Sequence, residues 1–132
     1  MRHQSVALSA VGEGIAGLAL LVDPAIVIRL LFGAEITGAG TIMSRIAGIA
    51  LIALGLACWP SSAARADAPA LRALLTYDVL VALYLAYQYV VGTFVGVLLL
   101  PALAAHVVLA LLLARAWFTP YVHRRESALG VL

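Results

Sequence analysis

The sequence predicts an all-α integral membrane protein: a four-transmembrane-helix bundle with a short interfacial helix after helix 1. Of the 132 residues, 65% are hydrophobic and only 11% are charged, against roughly a quarter in soluble domains. A spanning helix needs about 20 mostly apolar residues, and four such stretches occupy nearly the whole chain. We therefore expect a single transmembrane domain over residues 1–132 and no separate extramembrane domain.

The first span is expected over residues 5–22. It is rich in small residues, and pairs four apart, such as Ala10 and Gly14, let another helix approach closely. A new helix is expected directly afterwards, because Asp23 is a good N-cap and Pro24 suits a first helical turn. The apolar segment that follows is too short to span a bilayer, so we expect it to lie at the interface.

The remaining spans are expected over residues 37–59, 70–91 and 94–118. In the second of the four spans, small residues recur every four positions, which is typical of a tight helix contact. The turn at residues 92–93 is minimal and makes the last two spans an antiparallel hairpin. Pro101 is expected to kink the last span.

The arginines predict an orientation. Arg29 alone falls on one side of the four-span arrangement, and six arginines fall on the other. Because cytoplasmic loops carry an excess of basic residues, both termini are expected in the cytoplasm, in a bacterial inner (cytoplasmic) membrane. No basic patch with interleaved aromatic residues is present, so a nucleic-acid partner is not expected. The six cytoplasmic arginines are Arg2, Arg65, Arg72, Arg115, Arg124 and Arg125.

Each span carries one ionisable residue within its apolar stretch: Glu13, Arg45, Asp78 and His106. Charges inside a bilayer are costly, so they usually pair and often mark function. Counted along the helices, the four lie roughly 10–20 Å in from the cytoplasmic ends, in the central part of a core about 30 Å thick. We expect Arg45 to pair with Glu13 or Asp78, which leaves the other carboxylate free to exchange protons.

The third span carries a second polar feature. Tyr77, Tyr84 and Gln88 are seven and four residues apart, so they share one helix face beside Asp78. Phenol and amide groups next to a carboxylate can line a polar pocket for a small amphipathic or aromatic ligand. The residues predicted for ligand binding or proton coupling are therefore Glu13, Arg45, Asp78, His106, Tyr77, Tyr84 and Gln88.

Each of these residues also has a simpler interpretation. The charged residues alone can form a structural network that holds four helices in register, and the tyrosines can be packing residues. His106 is the only histidine within a span, which favours a hydrogen bond over a metal or haem ligand. The single cysteine, Cys58, excludes an internal disulfide and a CxxC site. The sequence thus predicts no metal and no cofactor.

Two segments carry a family resemblance. The run GEGIAGLALLVDP, from Gly12 to Pro24, resembles a pattern in the DoxX-like group of small bacterial four-helix membrane proteins. The run SRIAG, with Gly55 one heptad further on, resembles the Arg-then-Gly segment of the same and related families. The resemblance implies importance for Glu13 and Arg45. Members of the wider group have been linked to quinone or sulfur metabolism and to membrane assembly.

These features lead to several hypotheses. The first is a small integral membrane protein that binds a quinone- or lipid-like amphipathic ligand at an intramembrane polar site, or acts as an accessory subunit. The alternative is a proton-coupled small-molecule transporter that works as an oligomer. An enzyme using His106 and a carboxylate as acid and base is a third hypothesis, but no motif specifies a reaction. Expected partners are membrane lipids and either further copies of the chain or a larger membrane complex.

Overall fold

The computed structural model describes residues 2–59 and 67–129, with side chains described for 4–59 and 68–118. Over these residues the chain is helical, and four of its helices are long and apolar enough to cross a membrane. The predicted all-α class with four spanning-length helices is thus confirmed. Most of the segment between the second and third expected spans, residues 60–69, and the side chains of residues 119–132 lie outside the described residues. The helices are α1 (Arg2–Val22), α2 (Pro24–Phe32), α3 (Ala39–Ala57), α4 (Asp67–Val91) and α5 (Leu99–Leu129).

The short helix α2 is present where the sequence predicts it. The Asp23 carboxylate accepts a hydrogen bond of 3.1 Å from the backbone N–H of Ile26, which caps the helix, and Pro24 occupies the first position. At the other end Gly33 adopts a left-handed conformation with φ of 67°, which a residue without a Cβ adopts at little cost. Asp23 and Pro24 thus separate α2 from the long helix before it.

The link between α4 and α5 differs from the prediction, because α5 begins at Leu99 and not at residue 94. The backbone N–H groups of Gly96 and Leu98 donate to the carbonyls of Leu31 and Leu30, at 3.1 and 2.8 Å. These residues therefore pair with the end of α2 and do not extend the helix. As a result Pro101 lies in the first turn of α5, where its missing N–H breaks no helical hydrogen bond.

Helices α1 and α3 pack closely and run antiparallel. A Cβ added to Gly17 would lie 2.6 Å from the Gly48 carbonyl oxygen, and one added to Gly55 would lie 2.6 Å from that of Ala10. Only glycine allows backbones to approach this closely, as in other small-residue helix contacts. The small-residue pattern of the sequence thus determines the register of the two helices.

Helix α1 also links α3 to the α4–α5 hairpin, since it contacts α3, α4 and α5. At one end of the bundle these elements enclose an apolar core. Cys58 is 3% exposed there, and burial raises the pKa of its thiol, as expected of a packing residue and not of a nucleophile. The buried members of this core are Val6, Cys58, Leu71, Leu74 and Leu113.

Candidate functional site

Asp78 lies at the centre of a buried group of polar side chains contributed by α1, α4 and α5. It is 0% exposed. Its Oδ1 lies 2.8 Å from Nδ1 of His106, and its Oδ2 accepts a hydrogen bond of 2.9 Å from the Ser9 hydroxyl. Both carboxylate oxygens therefore have a partner, which offsets much of the cost of burying the charged form.

Glu13 lies beside this pair and is only 2% exposed. Its carboxylate accepts a hydrogen bond from the Tyr77 hydroxyl, but Oε2 has no hydrogen-bond partner among the described residues. Buried carboxylate oxygens are nearly always paired. An unpaired one is thus the feature of this group that requires an explanation.

The His106 side chain is 19% exposed. It is thus more accessible than Ser9, Glu13 and Asp78, which are all buried. Its ring packs edge-on against Tyr77, with centroids 6.0 Å apart. When Asp78 is ionised, Nδ1–H donates to it, and in the neutral ring Nε2 is then left as an acceptor. Part of the His106 side chain is therefore accessible from outside the bundle. We call Ser9, Glu13, Tyr77, Asp78 and His106 the polar cluster.

Helical periodicity explains how these side chains meet. Ser9 and Glu13 are four residues apart on α1 and so share one face, adjacent to the glycine face that contacts α3. On α4, Asp78 belongs to a buried stripe spaced three or four residues apart, whose other members are apolar. That stripe is Leu71, Leu74, Asp78, Ala82 and Leu85. Sequence analysis did not identify Ser9, although its spacing from Glu13 is a usable signal.

Arg45 is not part of the polar cluster, and the ion pair expected with Glu13 or Asp78 is absent among the described residues, where Arg45 is exposed. The register of α1 and α3 gives the reason. Because Gly17 lies opposite Gly48, Arg45 is level with Leu20. That position is seven residues from Glu13, or about 10 Å along the helix axis.

Tyr84 and Gln88 also lie outside the polar cluster. The Gln88 side-chain amide donates a hydrogen bond of 2.8 Å to the Tyr84 hydroxyl, and Tyr84 is 56% exposed. They are two and three turns beyond Tyr77 on α4, so the predicted stripe divides into one residue inside the cluster and a separate pair. The structure therefore unites Glu13, Asp78, His106 and Tyr77, and leaves out Arg45, Tyr84 and Gln88.

The polar cluster also contains donors suited to a cation. One ligand atom from each of Glu13, Asp78 and His106 lies within 4.8 Å of the other two. Carboxylate oxygen and imidazole nitrogen are both common metal ligands. Chemically, the cluster can thus hold a proton, accept a hydrogen bond from a hydroxyl group, or coordinate an ion.

The described residues form an all-helical chain, with a polar cluster between helices that are long and apolar enough to span a membrane. Comparisons with protein-family models, with curated proteins and with solved structures give no match to this chain.

Proposed function

We propose that this chain is an integral membrane protein that binds a small amphipathic, quinone- or lipid-like ligand at the polar cluster. The observation that carries this proposal is the pairing of His106 with the fully buried Asp78 at 2.8 Å. A carboxylate that accepts from one ring nitrogen fixes the tautomer and orientation of the imidazole. The cluster thereby presents a preorganised hydrogen-bonding group.

The accessibility of His106 indicates the direction of approach. Its neighbours Glu13 and Asp78 are buried, whereas its own side chain is 19% exposed. In a membrane the exposed sides of a spanning helix face lipid, so a ligand would reach the ring laterally. With Nε2 as the acceptor, the matching ligand group is a hydroxyl, as in a hydroquinone or a lipid alcohol.

Decylubiquinol is a suitable probe for this ligand. We expect it to bind the wild-type protein in phosphatidylcholine nanodiscs and to bind His106→Leu about tenfold or more weakly, since a hydrogen bond in a low-dielectric site is lost. Tyr84→Phe is the matched control, because it removes a polar group outside the cluster. Equilibrium binding measures the affinities, and native mass spectrometry identifies molecules that copurify.

Two results would contradict the ligand proposal: no binding of decylubiquinol with no copurified amphipath, or equal affinity in His106→Leu and Tyr84→Phe. Uptake of a small molecule into proteoliposomes, driven by a pH gradient, would favour the proton-coupled transporter instead. Copurification with a fixed set of other membrane proteins would favour an accessory subunit.

The proposal also places the chain in a bacterial inner membrane with both termini in the cytoplasm and α2 at the opposite interface. The arginine asymmetry supports this orientation, and the DoxX-like resemblance supports the location. We expect an alkaline phosphatase fused after residue 132 to be inactive and one inserted after Gly33 to be active. The reverse activities would contradict the orientation, and immunoblots of both fusions control for expression.

We also propose that several copies assemble, or that the chain joins a larger membrane complex. Helix α3 packs chiefly on α1, so much of its surface is free to meet lipid or a neighbouring subunit. Large exposed apolar side chains on that surface include Ile42, Met43, Ile46 and Ile49. The mass of the intact particle, measured by native mass spectrometry on the same nanodisc samples, gives the number of copies.

A further inference from the structure

We propose that Glu13, Asp78 and His106 together bind one divalent transition-metal ion inside the helical bundle. Three separate helices supply these residues, and one ligand atom from each lies within 4.8 Å of the other two. This inference goes beyond the ligand proposed above and does not depend on it, since that ligand would bind the metal-free cluster, in which Nδ1 of His106 carries the proton.

The distances suit coordination. Oxygen and nitrogen ligands lie about 2.1 Å from such an ion, so neighbouring ligand atoms are about 3.0 Å apart in an octahedral site and about 3.4 Å in a tetrahedral one. Oδ1 of Asp78 and Nδ1 of His106 are already 2.8 Å apart, close to an octahedral edge. An ion would replace the proton these two atoms share, and the Glu13 side chain would move inward by about an ångström or more.

The second, independent observation is the unpaired oxygen of Glu13. Oε2 has no partner among the described residues, although Glu13 is 2% exposed and one of its carboxylate oxygens is among the clustered ligand atoms. A coordinated ion would supply the missing partner. Burying two carboxylates together between membrane-spanning helices is costly. The positive charge of the ion would offset this cost.

The composition of the site indicates the class of ion. One imidazole with two carboxylates favours Mn²⁺, Fe²⁺ or Zn²⁺, whereas Mg²⁺ and Ca²⁺ prefer oxygen ligands alone. The Ser9 hydroxyl donates to Oδ2 of Asp78 at 2.9 Å, the kind of outer hydrogen bond that orients a metal-binding carboxylate. Three protein ligands leave further coordination positions for water or a substrate.

Mn²⁺ is a suitable probe because its binding and its ligands can be measured by electron paramagnetic resonance. The full-length protein is stripped with chelator, placed in phosphatidylcholine nanodiscs and titrated with Mn²⁺. We expect one bound Mn²⁺ per chain, displaced by Zn²⁺ and not by the same concentration of Mg²⁺. Spin-echo modulation from a coordinated nitrogen is expected in the wild-type protein and not in His106→Gln.

The variants Glu13→Gln, Asp78→Asn and His106→Gln keep side-chain size and are expected to weaken Mn²⁺ binding at least tenfold. Glu35→Gln is the matched control, because it removes an exposed carboxylate outside the cluster and is expected to bind as the wild type does. Circular dichroism and size-exclusion chromatography verify that each variant folds. The nitrogen modulation of the wild type tests the proposal even where a variant does not fold.

The metal proposal is overturned if the wild-type protein binds neither Mn²⁺ nor Zn²⁺, if Glu13→Gln binds Mn²⁺ as well as Glu35→Gln does, or if nitrogen modulation persists in His106→Gln. The metal proposal and the ligand proposal can each be contradicted without the other. Binding of Mn²⁺ without decylubiquinol leaves the metal site standing alone, and the opposite pattern leaves the amphipathic ligand standing alone.

Discussion

Gly17→Ala is expected to lower the free energy of unfolding by about 1–3 kcal/mol, the usual cost of forcing an extra carbon into a packed contact. The new Cβ would lie 2.6 Å from the Gly48 carbonyl oxygen and 2.9 Å from the backbone nitrogen of Ile52. Both atoms belong to the α3 backbone, so no side chain can rotate away to make room. Helix α3 would have to move as a unit.

Gly12→Ala is the matched control for this prediction. It lies on the same helix five residues earlier, and a Cβ there would meet nothing within 4 Å. We expect its unfolding free energy to equal that of the wild type or to exceed it by up to about 1 kcal/mol, because alanine is the better helix former. Unfolding in mixed micelles with increasing SDS, followed by circular dichroism, measures both. Equal costs for the two substitutions would contradict the close α1–α3 contact.

A double variant tests the contact further. Gly17→Ala and Gly48→Ala each separate the same two backbones, because a Cβ on either residue would lie 2.6 Å from the carbonyl oxygen of the other. Once one substitution has separated the helices, the second finds more space. We therefore expect the double variant to cost less than the sum of the single ones, as is usual for residues in contact. Additive costs would mean that each glycine acts through another contact.

Asp78→Ala is expected to destabilise the fold by about 2–5 kcal/mol, because it leaves one buried and one part-buried donor without an acceptor. The Ser9 hydroxyl and Nδ1 of His106 both lose their hydrogen-bond partner. Ser9 is 0% exposed and the His106 side chain is 19% exposed. Tyr84→Phe is the control, since it breaks an exposed hydrogen bond and is expected to cost about 0.5 kcal/mol or less.

A double-mutant cycle separates the lost hydrogen bonds from the lost volume of the side chain. Removing the Ser9 hydroxyl as well, in Ser9→Ala, removes one of the orphaned donors. We expect a coupling energy of about 0.5–3 kcal/mol between Ser9→Ala and Asp78→Ala, the range for residues in one hydrogen-bond network. No coupling, together with a cost for Asp78→Ala equal to that of Tyr84→Phe, would show that the cluster contributes little to stability.

Much of the architecture can be predicted from the sequence because its causes are local. Hydropathy predicts the four spanning-length helices, and the Asp23-Pro24 pair predicts the start of α2. The start of α5 could not be predicted this way. It depends on backbone hydrogen bonds that Gly96 and Leu98 make to residues of α2, far away in the sequence.

The membership of the polar cluster shows a second limit. Counting residues from the helix ends gives the depth of a side chain but not the direction in which it points. Glu13, Asp78 and His106 lie at similar depth and face one another, whereas Arg45 lies on the exposed side of α3 and about 10 Å along the axis from Glu13. The pairing of helices determines this direction, and α3 packs chiefly on α1 and not on the α4–α5 hairpin. The spacing of the small residues on α3 predicts a close helix contact but does not predict which helix α3 contacts.

The order in which the ribosome makes the helices determines when the polar cluster can form. Ser9 and Glu13 are synthesised first, Asp78 enters with α4, and the imidazole that pairs with it comes only from α5. A chain that ends before residue 106 therefore contains Asp78 with one of its two hydrogen-bond partners missing. The cost of burying that carboxylate between apolar helices is fully offset only when the last helix has been made and packed.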